Sequence, residues 1–208
     1  LRSPPYFTIS LANLDTVGPP EILVGDLVFD ENGVLLSEGN RGEGCINAGK
    51  SSTGVDLDLD CDLELLAGKT AYQYANNGLT EWWTFGGAAG QDGGSAVGNF
   101  MNDDHPEIVF VTKDPPTIRL LDHQGNLIGS PLVFGSFSYA VFPAIGQFDN
   151  DDFPEVALTN TDSLFRLDFD PNTGLWSITW SMDVNDLTTG SGLSLADLDG
   201  DGIDEVIY

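Results

Sequence analysis

Apolar residues in this chain gather in short runs. Ile22-Leu23-Val24, Ile108-Val109-Phe110-Val111, Val156-Ala157-Leu158 and Val206-Ile207-Tyr208 are examples, and Gly, Pro, Asn and Asp break the sequence between them. Runs this short, rich in β-branched residues and without helical spacing, predict strands. Each run leaves a nine-residue polar window. The windows begin at Asn13, Asp56, Asn99, Gln147 and Asp197, at steps of 43, 43, 48 and 50 residues. Hairpin signals keep the same phase, in Asn32-Gly33, Asn77-Gly78, Gln124-Gly125-Asn126 and Asn172-Thr173-Gly174. Two features repeating in step mark an internal repeat. A short lead strand (Phe7–Leu11, Ser95–Gly98, Ala140–Ile145, Leu193–Leu195), a strand leaving the polar window and a hairpin such as Leu164–Phe169 with Leu175–Trp180 make four strands per unit. That is the blade of a β-propeller. The expected fold is therefore all-β, a β-propeller of four-stranded antiparallel blades. About four and a half blades fit in one region, as units 1–50, 51–93, 94–138, 139–190 and a partial 191–208. The glycine-rich stretch Gly86–Ser95 reads as a flexible connection between blades.

Charge adds chemistry to this outline. Across 208 residues, 33 Asp and Glu stand against 7 Lys and Arg, a formal charge of −26. Such a chain lacks the cations that nucleic-acid phosphates or an anionic membrane surface require. No apolar run reaches the ~18 residues of a spanning helix, so no membrane insertion is expected. The chain opens at Leu1 without a leader, which reads as a mature chain or a fragment. The acids are concentrated: 19 of the 33 lie in the five windows, and none of the seven bases does. Carboxylates packed this way repel unless a cation neutralises them, and a hard divalent ion with oxygen ligands is the natural candidate.

The fifth window, D-L-D-G-D-G-I-D-E, shows the geometry best. Asp197, Asp199 and Asp201 at positions 1, 3 and 5 can converge, the Ile203 carbonyl can join at position 7, and Glu205 at position 9 closes the site. Six or seven oxygens suit Ca²⁺. The opening resembles an EF-hand, but the closing acid comes at position 9 and a strand follows. Asp56, Asp58, Asp60 and Glu64 give the second window four carboxylates as well. Gln147, Asp149, Asp151 and Glu155 give the fourth three carboxylates and an amide. Asn99, Asp103 and Glu107 serve the third, where Met101 is a poor ligand. Asn13, Asp15 and Glu21 serve the first, where Val17 is blank. Strong Ca²⁺ binding is expected at the second and fifth loops, binding at the fourth, and weak or no binding at the first and third.

The sequence D-L-D-G-D-G-I-D-E-V, with its degenerate copies at this spacing, resembles the FG-GAP/VCBS repeats of integrin α-subunit-like β-propellers. The resemblance covers essentially the whole chain. It implies calcium-bearing blades in a secreted or cell-surface protein that serves adhesion, ligand recognition or assembly, with a protein or glycan ligand on a cell surface or matrix. Such repeats sometimes accompany or build polysaccharide lyases. Here Glu holds position 9 in every copy where Asp is commoner, and Cys61 replaces a loop glycine.

The remaining residues shape the functional expectation. Cys45 and Cys61, the only cysteines, are a disulfide candidate suited to an oxidising compartment. Trp82, Trp83, Trp176 and Trp180 fall in outer strands, where packing between blades is preferred over sugar stacking. His105 and His123 have no nucleophile beside them, so no catalytic set emerges. The expectation is a non-catalytic extracellular module. A calcium-dependent, lyase-like carbohydrate-active enzyme is one alternative. The other is a filament subunit, a homo-oligomer completing its unfinished blade with a neighbouring chain.

Overall fold

The structure, a computed structural model, describes residues 6–44, 49–113, 115–133, 142–159, 163–184 and 192–208. Among these residues there is no helix. A short β1 (Tyr6–Phe7) opens the chain. The first sheet is β2 (Ser10–Ala12), β3 (Glu21–Val24), β4 (Leu27–Phe29) and β5 (Leu35–Glu38), and β6 (Gly49–Lys50) pairs in parallel with β1. The second sheet is β7 (Thr53–Val55), β8 (Glu64–Ala67), β9 (Thr70–Ala75) and β10 (Gly78–Thr84). The third is β11 (Gly94–Gly98), β12 (Glu107–Lys113), β13 (Pro116–Leu121) and β14 (Leu127–Val133). The fourth is β15 (Ala144–Gly146), β16 (Glu155–Thr159), β17 (Ser163–Asp170) and β18 (Leu175–Asp183). A hairpin of β19 (Ser194–Ala196) and β20 (Glu205–Ile207) follows. Every four-stranded sheet is an antiparallel meander in chain order.

Side-chain alternation decides how the sheets stack. In the second sheet, Leu65, Ala67, Tyr72 and Tyr74 pack on Leu23 and Val28 of the first, while Leu66 and Ala71 face Ile108, Phe110 and Leu121 of the third. The third sheet then turns Val109, Val111, Ile118 and Leu120 toward Val156, Leu158, Leu167, Phe169 and Trp176 of the fourth. A strand covered on both faces favours apolar residues on both, which is why β12 and β16 carry the continuous runs Ile108–Val111 and Val156–Leu158. Outer strands have less to cover them, and β18 is exposed along most of its length.

First strands meet first strands, β2 against β7 and β11 and β15 against their successors, and fourth strands meet likewise, β5 against β10 and β14 against β18. Where neighbouring first strands approach most closely, glycine leaves room for the larger residue opposite. A Cβ on Gly98 would stand 2.9 Å from Ile145.

The sequence expectations shift at three places. The lead segment Phe7–Leu11 divides between β1 and β2, and part of Ala140–Ile145 lies outside the described residues. The second hairpin turns at Asn76 and Asn77, whose φ values are 52° and 58°, so Gly78 is already in the strand. Two Asn residues tolerate the left-handed region well enough to form the turn themselves. The Gly86–Ser95 connection is held in place. The Lys69 ammonium donates to the Gly87 and Gly90 carbonyls at 3.2 and 2.6 Å.

Candidate metal centres

All five acidic windows occupy the same topological place, the connection from the first to the second strand of a unit. The register is identical in each. Position 9 is the first residue of the second strand and pairs with the last residue of the first, as Ala12↔Glu21, Val55↔Glu64, Gly98↔Glu107, Gly146↔Glu155 and Ala196↔Glu205. Each of these glutamates turns one oxygen back to accept the N–H of position 2, at 2.8 Å from Leu14, 2.9 Å from Leu57, 2.8 Å from Phe100, 2.6 Å from Phe148 and 2.8 Å from Leu198. Position 2 is always apolar, and Leu14, Leu57 and Phe100 are fully buried. In the first three loops the glutamate therefore closes the loop over its own hydrophobic anchor, a structural role, whereas Leu198 of the fifth is exposed. The glutamate's second oxygen is left for other use.

The loops then take two shapes. In the first, second and fifth, positions 4 and 6 both have positive φ. They are Thr16 and Gly18, Leu59 and Cys61, and Gly200 and Gly202. In the second loop, Asp56 accepts N–H groups from Asp60 and Cys61. In the fifth, Asp197 accepts from Gly200, Asp201 and Gly202. The third and fourth loops are built differently, for the position-1 amide donates to the position-5 carbonyl, Asn99 to Asp103 at 3.1 Å and Gln147 to Asp151 at 2.8 Å.

Carboxylate oxygens converge within 4.8 Å in three groups among the described residues. These are Asp56, Asp58 and Glu64, then Asp149, Asp151 and Glu155, then Asp197, Asp199 and Glu205. The second and fifth loops thus join positions 1, 3 and 9. Asp60 and Asp201 stay outside these groups and accept the N–H of position 7, Asp62 and Ile203, each at 2.9 Å. In the third loop Asp103 does the same for His105, and Glu107 accepts a second N–H, from Met101 at 3.1 Å. In the first, Asp15 accepts from Val17. Neither the first nor the third forms a converging group among the described residues.

In the second loop burial and neighbouring carboxylates act on the same group. Burial, reinforced by Asp58, Asp60 and Asp56, pushes the Glu64 carboxyl up to about 7, against the N–H bond from Leu57. Asp58 Oδ1 is buried without a hydrogen-bond donor. An acceptor in that position fits a metal ligand, since an orphaned buried oxygen is costly. In the fifth loop, the N–H bonds from Gly202, Gly200 and Asp201 hold Asp197 below the usual carboxylate range, which keeps its charge available.

The fourth loop contains a residue that reading the windows alone does not find. Arg166, in β17, reaches back along the sheet and pairs with Asp149. The same guanidinium lies 3.7 Å from Glu155, donates to Asp168 at 3.2 Å and to the Phe148 carbonyl at 3.1 Å. Glu155 is still pushed up to about 7, chiefly by burial. Arg166 is 17 residues from Asp149 in sequence, and the β16–β17 hairpin brings it home. The neighbouring loop is clipped on beside it, as Asp204 accepts the Gln147 N–H at 2.9 Å.

Of the tryptophans singled out in the sequence, Trp83 and Trp176 serve packing, while Trp180 is exposed. Trp83 donates to the His123 carbonyl at 2.9 Å and covers Gly125, while Trp176 packs against Phe100 and Phe169. His105 and His123 stack with centroids 4.1 Å apart, a pairing their separation in sequence did not suggest. Cys61 is exposed; Cys45 lies outside the described residues, and so does the pairing between them.

No family model matches the chain, and no curated protein matches it. Among solved structures, the chain shares its fold with the V. cholerae biofilm matrix protein Bap1. The TM-score is 0.65 at 16% identity, over 95% of this chain and 57% of that one. The chain thus spans little more than half the length of that protein. A Bacillus licheniformis rhamnogalacturonan lyase overlaps at a TM-score of 0.40 with 17% identity, over 96% of this chain and 39% of that one. The exotype rhamnogalacturonan lyase YesX overlaps at 0.38 with 18% identity, over 96% and 38%. No helix among the described residues is long and apolar enough to cross a membrane.

Proposed function

We propose that this chain is part of a calcium-stabilised β-propeller of the FG-GAP/VCBS kind, in an extracellular protein that acts in adhesion, ligand recognition or matrix assembly without catalysis. The observation that carries the reading is the second and fifth loops. Each brings three carboxylates together at one position of a repeated hairpin, and among the described residues no ion pair reaches either group. Calcium there would bind Asp56, Asp58 and Glu64, and Asp197, Asp199 and Glu205. It would supply charge and coordination, not a reaction.

The ring is supported by the face-to-face stacking of consecutive meanders, with first strands against first strands and fourth against fourth. An extracellular matrix setting is supported by the fold shared with a biofilm matrix protein. The partner is a protein or glycan of that setting.

A lyase reading needs a base beside a metal loop, and Arg166 is the residue in such a place. It is a poor base. Burial alone would ease its proton away, but the hydrogen bond to Asp149 and the charges of Asp168 and Glu155 outweigh that and hold it more tightly. Incubation with acidic polysaccharides under calcium, monitored for unsaturated products in the ultraviolet, tests the point. No product is expected, and steady formation would overturn the non-catalytic reading. Calcium binding is tested separately by the stoichiometry of equilibrium dialysis.

A further inference from the structure

We propose that the guanidinium of Arg166 is the resident cation of the fourth acidic loop, so that this corner excludes divalent metal. The proposal rests on the calcium reading of the other loops and departs from the expectation that the fourth binds as well.

Three observations carry it. First, the guanidinium meets two of the three converging carboxylates directly, Asp149 as an ion pair and Glu155 at 3.7 Å. Second, it is anchored there from two further directions, by Asp168 at 3.2 Å and by the Phe148 carbonyl at 3.1 Å. A long side chain hydrogen-bonded to three acceptors and close to a fourth is positioned, not wandering.

Third, the position is anomalous within the repeat. The residue two after each position-9 glutamate pairs across to the third strand, as Leu23↔Val28, Leu66↔Ala71, Val109↔Leu120 and Ala157↔Arg166. Val28, Ala71 and Leu120 are fully buried. Only the fourth unit places a cation at this register, where Ala157 opposite it leaves room. The side chain of Arg166 is itself only 13% exposed.

A divalent ion in this loop would sit within a few ångströms of a fixed positive charge. At an effective dielectric of about 20, that repulsion weakens binding by at least about a thousandfold relative to an arginine-free loop. The fourth corner then holds its shape whatever the calcium concentration, while the second and fifth respond to it. A monovalent guanidinium offers fixed hydrogen-bond geometry in exchange for the larger charge of the metal.

Calcium stoichiometry on the full chain tests this, using equilibrium dialysis with wild type, Arg166→Gln, Arg166→Lys and Asp149→Asn. Arg166→Gln is expected to gain one site, Arg166→Lys to gain none, and Asp149→Asn to leave the wild-type number unchanged. Adding Asp149→Asn to Arg166→Gln is expected to remove the gained site. In EDTA, Arg166→Gln melts below wild type, and calcium restores it. Loss of one site in Asp149→Asn alone, or no gain in Arg166→Gln, overturns the proposal. The reading of the other loops is judged apart. Asp58→Asn and Asp199→Asn each lose one site if it holds, and a wild type that binds no calcium contradicts it without affecting the gain expected of Arg166→Gln.

Discussion

Glu107 isolates the structural role of the position-9 glutamate, because its loop gathers no metal group. Its carboxylate is buried and accepts the N–H of Phe100 at 2.8 Å and of Met101 at 3.1 Å. Glu107→Ala orphans both donors. A buried N–H without an acceptor costs about 1–3 kcal/mol. Phe100 is fully buried and Met101 only half, so a total of about 2–4 kcal/mol is expected. For a chain of this size that lowers the melting temperature by roughly 5–15 °C. Glu107→Gln keeps an acceptor oxygen. With both N–H groups still accepted, the cost stays below about 1 kcal/mol. Urea denaturation in EDTA, followed by tryptophan fluorescence, reads both. Trp176 reports locally, since it packs edge-on against Phe100 with centroids 6.0 Å apart. An alanine variant within about 0.5 kcal/mol of wild type refutes the reasoning, as does a glutamine variant as costly as alanine.

Other consequences are open to direct measurement. In EDTA, the raised carboxyls of Glu64 and Glu155 stabilise the fold fully below the unfolded-state value of about 4.3, and this contribution is lost as pH climbs through about 7. The melting temperature of metal-free protein should therefore fall between about pH 4 and 7 and level off above that, and Glu64→Gln should flatten part of that slope; an unchanged slope would contradict the raised value. Phe100→Ala should cost about 3–5 kcal/mol by emptying the space between the third and fourth sheets, and a cost below about 1 kcal/mol would show that the sheets do not pack there. Gly125 has a φ of 78°, and a Cβ there would stand 2.6 Å from the Trp83 ring. Gly125→Ala should cost about 2 kcal/mol, and a neutral result would mean that Trp83 is not seated on the turn.

Much of the strand pattern was legible because both faces of the inner strands are buried. The runs Ile108–Val111 and Val156–Leu158 have no polar positions to confuse the reading, and fixed spacing from the position-9 glutamate set the register. The place of the acidic loops was legible because 19 of the acids cluster in windows that recur in step with the strands, but the partner of the fourth was not, since Arg166 serves it. What escaped was information that only pairing across strands supplies. Arg166 looks like an ordinary strand residue until the units are superposed and it stands against Val28, Ala71 and Leu120. A comparison of the repeats by strand register would have found it. The departure of Asp60 and Asp201 from the metal groups was hidden too, because a carboxylate two residues before an N–H can serve the backbone as readily as a cation. Asn76-Asn77 displaced the turn expected at Asn77-Gly78, since local propensities there differ by too little to fix the position.

The most direct test of calcium as the missing counter-charge is thermal stability against calcium concentration for wild type, Asp58→Asn and Asp199→Asn. Each site should contribute RT ln(1 + [L]/Kd), about 2.7 kcal/mol at a hundredfold excess over Kd, or roughly 5–10 °C. Wild type should gain both increments and each variant only one. A wild-type melting temperature that does not move with calcium, or variants that gain as much as wild type, would contradict the account.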